Sequence, residues 1–202
     1  MNIGIDVDGV LADLGRFLRE EGVPYFKKKY GLSVVDPAQC HAEEMFGCTE
    51  KQRKRFWGRR GWRYINGEAP IEGCSEVIGK LKRDGNGIYI VTCRALTAKH
   101  GPVPAFLRTV LRSWLKRNGI AYDGIIYCHE DDPAERKLKA CLDNGLDVLI
   151  DDNADNIMAV KDSVLALCFD SPWNARIDDE KVIRVGGWAD VDRFFRDRAG
   201  DR

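Results

Sequence analysis

The sequence has no long hydrophobic run and no excess of charge of either sign. Its 202 residues include 32 basic and 32 acidic side chains, so the overall charge does not indicate a nucleic-acid or membrane-surface binder. No apolar stretch reaches the roughly 20 residues that span a bilayer, and the amino terminus has a strand pattern rather than a signal peptide. These absences predict a soluble, cytoplasmic protein without a membrane partner.

The cysteines lack the pairing and the spacing of a disulfide or zinc framework. There are seven, an odd number, and several lie in apolar patterns, where cysteine behaves as a small hydrophobic residue. Cys40, His41 and Cys48 come close together, but no second pair of ligands accompanies them. We therefore expect reduced thiols and no zinc site.

Short runs rich in isoleucine and valine recur along the chain, each followed by a segment with helical periodicity. This alternation is typical of a parallel sheet built from βαβ units, and the length suits one α/β domain with an insertion. The predicted strands are 2–6, 87–92, 124–128, 147–151, 164–170 and 182–185. The predicted helices of the core are 73–83, 103–118, 134–144, 155–161 and 189–198.

One connection is much longer than the others. About 80 residues separate the first two predicted strands, whereas a crossover needs only about a dozen. The extra segment has helical stretches, aromatic residues and a basic run. We assign residues 14–72 to a small helical cap over the ligand-binding edge of the sheet, and residues 1–13 and 73–202 to the core.

Carboxylates and a hydroxyl follow or end three of the predicted strands. Asp6 and Asp8 come at the end of the first, Thr92 ends the second, and Asp151 and Asp152 end the fourth. Any one of these positions is explained equally well as a helix cap. Together they would crowd negative charge at the edge where open parallel sheets bind ligands, and a divalent cation is the usual compensation. The pattern therefore indicates a metal-dependent site.

These residues resemble the motifs of phosphatases of the haloacid dehalogenase (HAD) superfamily. The run Asp6-Val7-Asp8-Gly9-Val10 is similar to the first motif, and Thr92, Lys137 and Asp151-Asp152 match the second, third and fourth in order. A calcium loop can begin similarly, but here an apolar Val10-Leu11 follows instead of further oxygen ligands. The resemblance implies a Rossmann-like α/β fold, with the cap inserted between the first and second core strands.

The resemblance also implies a reaction, the hydrolysis of a small-molecule phosphomonoester. Asp6 would attack phosphorus to form an aspartyl-phosphate, and Asp8 would protonate the leaving alcohol and then activate water. Thr92 would hydrogen-bond a phosphoryl oxygen, and Lys137 would supply a fixed positive charge. Lys139 competes for this last role because it lies two residues further along the same basic run. The distance in sequence to Asp151 favours Lys137, and a solvated helix face is the alternative for either lysine.

Magnesium is the cofactor that the resemblance implies. Its ligands would be Asp6, the main-chain carbonyl of Asp8, and Asp151, with Asp152 as a further ligand or an orienting group. Manganese suits the same oxygen ligands.

A closer resemblance extends along most of the chain, to the 5'(3')-deoxyribonucleotidase-like branch of the superfamily. The matching runs are Asp8-Gly9-Val10-Leu11-Ala12-Asp13, Ala69-Pro70 with Gly73, Ile90-Val91-Thr92-Cys93-Arg94, Ile150-Asp151-Asp152-Asn153, Phe169-Asp170-Ser171-Pro172-Trp173-Asn174 and Trp188. Cys93 departs from the pattern, since a smaller alanine or serine is more typical there. The branch implies a nucleotidase that acts on nucleoside monophosphates.

Substrate choice is expected to depend on the cap. Five aromatic residues could stack on a nucleobase, although aromatic residues at helical spacing are more often core: Phe46, Phe56, Trp57, Trp62 and Tyr64. Arg94 is placed to steer an anionic substrate, or else to pair with a nearby carboxylate. The basic and aromatic run at 51–63 is either a solvated helix or a surface for phosphorylated polymers. A sugar phosphate or a nucleic-acid end therefore stays open as an alternative substrate.

A non-catalytic phosphoacceptor module is the alternative from another class. Such modules also combine acidic residues, a threonine and a lysine on a doubly wound sheet. Their acidic pair, however, follows the first strand and their acceptor aspartate the third, whereas here the acidic pair follows the fourth. The order of the motifs therefore favours the phosphatase.

Overall fold

The six predicted strands form one parallel sheet. A computed structural model describes residues 1–200, and in these residues the strand order is β3-β2-β1-β4-β5-β6. The strands are β1 (Asn2–Ile5), β2 (Gly87–Thr92), β3 (Gly124–Tyr127), β4 (Val148–Asp151), β5 (Leu165–Phe169) and β6 (Val182–Val185). The sequence predicted every strand to within one residue at either end, because continuous Ile- and Val-rich runs mark strands buried on both faces.

The centre of the sheet is an apolar ladder. Ile5 of β1 pairs with Ile90 of β2 on one side and with Ile150 of β4 on the other. All three side chains are fully buried. This register brings the ends of β1 and β4 side by side, so that Asp6 and Asp151, the next residues, project from the same edge of the sheet.

Helices flank the sheet and connect its strands. They are α5 (Cys74–Arg83), α6 (Pro102–Arg117), α7 (Pro133–Asp143), α8 (Ala154–Val160) and α9 (Trp188–Gly200), preceded by the helices of the long connection described below. Three of them are followed by a glycine with a left-handed backbone: Gly85 after α5, Gly119 after α6 and Gly145 after α7. The described residues thus form an α/β fold of the Rossmann type.

The long connection between β1 and β2 is helical. It contains α1 (Leu14–Phe17), a π-helical turn (Leu18–Gly22), α2 (Val23–Tyr30), α3 (Ala42–Phe46) and α4 (Glu50–Gly67). We call residues 14–67 the helical insertion. Its interior is aromatic, and the rings of Phe17, Phe26, Phe46 and Phe56 pack together with at most 1% exposure. These rings form a buried aromatic cluster inside the insertion, continuous with the core of the sheet.

Both ends of the helical insertion are fixed to each other. The backbone N–H of Ile71 donates to the carbonyl of Leu11 at 2.7 Å, and Ala12 forms a β-bridge with Pro70. Near the end of α4, the carbonyl of Glu68 accepts a hydrogen bond from the indole N–H of Trp114 on α6, at 2.7 Å. These contacts hold the insertion against the core, beside the carboxyl ends of the strands.

Among residues 1–200, no helix combines the length and the apolar character of a membrane span. All seven cysteines lie within the described residues, and none forms a disulfide.

The aromatic interior of the insertion gives a first prediction, on stability. Phe56 has no exposed surface, whereas Trp62 on the same helix is 54% exposed. We expect Phe56→Ala to lower the free energy of unfolding by about 3–5 kcal/mol, because it empties a packed site. Trp62→Ala, the matched control, should change it by about 0.5 kcal/mol or less. Urea denaturation followed by circular dichroism measures both, and equal losses would contradict this packing.

Candidate active site

The candidate site lies where the strand order of the sheet reverses. From β1 the chain builds β2 and β3 on one side, and then crosses to β4, β5 and β6 on the other. A crevice forms at such a switch point because the connections on its two sides run in opposite directions. Asp6 follows β1 and Asp151 ends β4, so both carboxylates stand at this crevice.

A buried lysine joins these two carboxylates. The Lys137 ammonium lies 2.6 Å from Oδ1 of Asp6 and 2.5 Å from Oδ2 of Asp151. Its side chain is 2% exposed. Helix α7 aims it inward, because the helix starts at a fixed point: Asp132 caps it with its side chain, and Pro133 occupies its first turn. The structure thus brings together three residues that lie far apart in the sequence.

A third carboxylate completes an acidic cluster. Asp6, Asp151 and Asp152 each present an oxygen, and these atoms lie within 4.8 Å of one another. The Asn156 amide donates to both oxygens of Asp151, and the indole N–H of Trp173 donates to Oδ2 of Asp152 at 3.0 Å. The surrounding hydrogen bonds therefore fix the orientation of the two carboxylates that end and follow β4.

The charge in the cluster is not balanced. Burial raises the pKa of Asp6 from 3.8 to about 7, with repulsion from Asp151 and Asp8 adding to the shift and Lys137 opposing it. Burial, then Asp151 and Asp6, raises the pKa of Asp152 well above its ordinary value. Burial alone would lower the pKa of Lys137, but the two carboxylates outweigh it and raise that pKa. One ammonium faces three buried carboxylates, a donor set that suits a hard divalent cation.

The turn after β1 fits closely against the cluster. Gly9 has a φ of +95°, and a Cβ atom there would lie 1.8 Å from Oδ2 of Asp152. A side chain at this position is therefore excluded by both the backbone conformation and the space. The glycine lets the first motif approach the acidic pair that follows the fourth strand.

Asp8 points away from the cluster. Its Oδ1 accepts hydrogen bonds from the Tyr64 hydroxyl at 2.7 Å and from Arg94 Nη2 at 2.7 Å and Nε at 3.0 Å. Within the part of the chain that the structure describes, its Oδ2 accepts only from Arg94 Nε, at 3.1 Å. The Asp8 side chain is 27% exposed and Arg94 is 9% exposed. The expected ion-pair alternative for Arg94 is therefore present, with Asp8 as its partner.

Thr92 lies at the end of β2 with no exposed surface. Its hydroxyl accepts a hydrogen bond from the backbone N–H of Arg94, at 3.1 Å. The next residue, Cys93, lines the site cavity. The hydroxyl thus shapes the loop after β2, and its contact with a phosphoryl oxygen stays a prediction.

A cavity of about 500 Å³ opens over these groups. Its lining includes Asp6, Asp8, Lys137, Asp151 and Asp152 from the core, and Leu14, Cys40, His41 and Arg53 from the helical insertion. Such a volume is in the range of sites for small molecules. The insertion therefore forms one wall of the cavity.

The remaining predicted site residues lie elsewhere. Phe56 is fully buried among the aromatic rings of the insertion, so its position does not support stacking on a substrate. Aromatic residues at helical spacing can face either a hydrophobic core or a ligand, and Phe56 faces the core. Trp57 borders a second, mostly apolar cavity of about 310 Å³ between α4 and α6, which Arg94 also lines. Lys139 is 66% exposed and pairs with Asp143 at the surface of α7.

Sequence reasoning missed the groups that orient the carboxylates. Asn156 and Trp173 lie in runs with a visible signal, since Asn153 and Asn156 flank a helix start and Trp173 follows a Ser-Pro pair. Tyr64 had no such signal as a partner of Asp8, because 56 residues separate the two. It stood out only as one of several aromatic residues.

The fold is the one seen in solved structures of a D,D-heptose 1,7-bisphosphate phosphatase and of a hydrolase of the HAD superfamily. Over residues 1–199 the sequence matches the family described as "5' nucleotidase, deoxy (Pyrimidine), cytosolic type C protein". The chain belongs to this family. The predicted α/β fold and the nucleotidase resemblance are thereby confirmed, and the non-catalytic alternative is not supported.

Two curated relatives span nearly the same length. The chain is 24% identical over 198 residues to "Putative nucleotidase YqfW" of Bacillus subtilis, covering 95% of this chain and 91% of that protein. It is 24% identical over 202 residues to "Putative 5'(3')-deoxyribonucleotidase" of Chlorobaculum tepidum, covering 94% and 87%. Among solved structures, D,D-heptose 1,7-bisphosphate phosphatase from B. bronchiseptica, complexed with magnesium and phosphate, has the same fold. Its TM-score is 0.57 at 11% identity, with 98% and 99% of the two chains covered.

The lysine contacts give a second prediction. Lys137→Met removes the only positive charge that touches both Asp6 and Asp151 in the described residues, and we expect phosphatase activity to fall by about a hundredfold or more. Lys139→Met, two residues away, should keep activity within about twofold because this lysine is a surface residue. Phosphate release from an aryl phosphate measures both. Comparable losses in the two variants would contradict the assignment.

The buried carboxylates give a third prediction, on pH. Asp6 and Asp152 have pKa values above those of the unfolded chain, so the folded protein binds more protons and its stability falls as pH rises. For Asp6 this loss spans pH 3.8 to about 7. In chelator, the melting temperature should therefore fall across this window.

Added magnesium should reduce that fall, because a cation favours the ionised carboxylates. Asp152→Asn should also flatten the profile, since it removes one of the raised groups. A melting temperature that rises between these pH values in chelator would contradict the prediction.

Proposed function

We propose that this protein is a magnesium-dependent phosphomonoester hydrolase that acts through an aspartyl-phosphate on Asp6, with nucleoside monophosphates as substrates. The observation that carries the proposal is the buried Lys137 ammonium between Asp6 and Asp151, next to Asp152. A third buried carboxylate has no role in a structural ion pair. In a site that binds a cation and a phosphoryl group, it would serve as a ligand of the cation.

Asp6 is the nucleophile in this proposal. Lys137 holds its Oδ1, which leaves the other oxygen to form a bond with phosphorus while the bond from phosphorus to the leaving oxygen breaks. Asp8 lies on the same turn and lines the same cavity. It gives a proton to the leaving alcohol, then takes one from the water that attacks the aspartyl-phosphate and releases inorganic phosphate. Lys137 meanwhile offsets the negative charge of the transferring group.

Asp6, Asp151 and Asp152 would hold the magnesium ion, together with the main-chain carbonyl of Asp8. Their oxygen atoms are of the type that magnesium prefers, and their unbalanced charge favours a cation. The bound ion would neutralise charge on the phosphoryl oxygens. The side chain of Asp8 is turned away from the acidic cluster toward Tyr64 and Arg94, so it would not ligate the ion and could transfer a proton.

The substrate assignment is supported by the family and by the cavity. The matched family and the two curated relatives carry nucleotidase names. A volume of about 500 Å³ suits a mononucleotide better than a polymer. We propose residues 14–72 as the cap that selects the substrate, since Leu14, His41 and Arg53 form one wall of the cavity. Arg53 also pairs with Glu43, so part of its charge is already balanced.

The fourth prediction tests the activity. Phosphate release is measured with 5'- and 3'-nucleoside monophosphates, sugar phosphates and nitrophenyl phosphate, in magnesium or in chelator. We expect release from nucleoside monophosphates in magnesium only, and loss of all release in Asp6→Asn, because the amide is a poor nucleophile. When the reaction is stopped in acid and protein-bound phosphate is measured, the aspartyl-phosphate should be detected only in the protein that retains Asp6.

The outcomes separate the parts of the proposal. Release of phosphate from sugar phosphates but not from nucleotides would keep the mechanism and overturn the substrate. Full activity in chelator would overturn the metal. Activity retained by Asp6→Asn would overturn the nucleophile.

A further inference from the structure

The contacts of Asp8 come from two separate parts of the chain. Arg94 follows β2 in the core, whereas Tyr64 lies near the end of α4 in the helical insertion. Both donate hydrogen bonds to the Asp8 carboxylate. The two donors also touch each other, since the Arg94 guanidinium lies 5.4 Å from the centre of the Tyr64 ring. The three side chains form one cluster.

The two oxygens of Asp8 are not equivalent. Oδ1 accepts three hydrogen bonds, two from Arg94 and one from Tyr64, whereas Oδ2 accepts one, from the Arg94 Nε that it shares with Oδ1. A carboxylate oxygen has about two acceptor sites, so Oδ1 is saturated and Oδ2 is not. Oδ2 is therefore the oxygen with capacity for a substrate or a water molecule.

Tyr64 is suited to be a hydrogen-bond donor to Asp8. It is 4% exposed, and its hydroxyl donates a hydrogen bond to Oδ1 of Asp8 at 2.7 Å. Its ring is also fixed, because it packs against Phe17 with the ring centres 4.8 Å apart. The hydroxyl therefore stands at a defined place next to Oδ1.

We propose that Tyr64 and Arg94 are positioning residues that anchor Oδ1 of Asp8, so that Oδ2 exchanges the proton with the leaving oxygen. The inference rests on the proposed function, in which Asp8 is the general acid and base. In this inference Arg94 binds Asp8 rather than the substrate. Tyr64 acts through its hydroxyl, and not through its ring as a stacking surface. General acid catalysis depends on the distance and direction of the donor, so the anchor acts on the rate.

Tyr64 belongs to the helical insertion, whereas Asp8 belongs to the core. Because α4 supplies the hydroxyl, Asp8 has its full set of anchors only when the helical insertion is seated on the core. Two contacts from α6 of the core to the end of α4 support that seating: Trp114 donates to the carbonyl of Glu68, and Arg117 donates to the carbonyl of Asn66. The acid–base group is thereby coupled to the segment that forms one wall of the cavity.

The test compares two phosphate esters, one whose leaving oxygen must be protonated by a general acid and one whose leaving oxygen need not be. A nucleoside monophosphate, or the alkyl phosphate hydrolysed best, has a poor leaving group that must be protonated, whereas dinitrophenoxide leaves without a proton. We expect Tyr64→Phe to lower kcat/KM by about tenfold for the alkyl ester and by less than about threefold for dinitrophenyl phosphate. Arg94→Lys, which keeps the charge but not the two-point contact, should show the same bias.

A double-mutant cycle distinguishes positioning from a structural role. In an Asp8→Asn background the anchor has no acid to position, so Tyr64→Phe should change kcat/KM by less than about twofold. The matched control is Tyr25→Phe, which removes a hydroxyl from the same aromatic cluster without touching Asp8. This variant should show no bias between the two esters. Melting temperatures of all variants identify any that fail to fold.

The outcomes distinguish a failure of the proposed mechanism from a failure of the positioning role. If Asp8→Asn lowers both esters equally, Asp8 is not the acid and the proposed mechanism fails. If Asp8→Asn shows the leaving-group bias but Tyr64→Phe and Arg94→Lys do not, the mechanism stands and the positioning role is overturned. If Tyr64→Phe causes the same loss in both backgrounds, its role is structural and the inference is wrong.

Discussion

The site depends on one buried ammonium between two carboxylates. Removing the charges of Lys137, Asp6 and Asp151 from water is costly, and close contact offsets the cost only when every partner is in place. The three residues come from α7, β1 and β4, so the sheet register and the start of α7 must both be correct before the contact can form. Asp152 adds a negative charge that Lys137 does not balance. The fold therefore holds a cluster that a cation would complete.

Parts of this arrangement could be predicted from the sequence because they depend on local patterns. Ile- and Val-rich runs gave the strands, and the carboxylates at their ends gave the edge at which Asp6 and Asp151 meet. Resemblance supplied the order of the motifs. It favoured Lys137 over Lys139, and burial separates the two, since one is 2% exposed and the other 66%. A difference of two residues on a helix turns a side chain from one face to the other.

Other parts could not be predicted because they depend on packing between distant segments. Helical spacing is the same for an aromatic residue that faces a core and for one that faces a ligand, so Phe56 could not be told from a stacking residue. The bond from Tyr64 to Asp8 joins residues 56 positions apart, and no local pattern encodes it. Arg94 pairs with Asp8, the carboxylate alternative that the sequence left open, because the Asp8 side chain turns toward it.

The core and the helical insertion divide the chemistry between them. Asp6, Lys137 and Asp151 belong to the core, so in the proposed mechanism the attack on phosphorus and the binding of a cation depend on core residues. Tyr64 and the cavity-lining Arg53 both belong to α4, so one helix contributes to acid–base geometry and to the wall that faces the substrate. A substrate that shifts α4 would alter both at once. In the proposed mechanism, the helical insertion therefore couples the binding of the leaving group to its protonation.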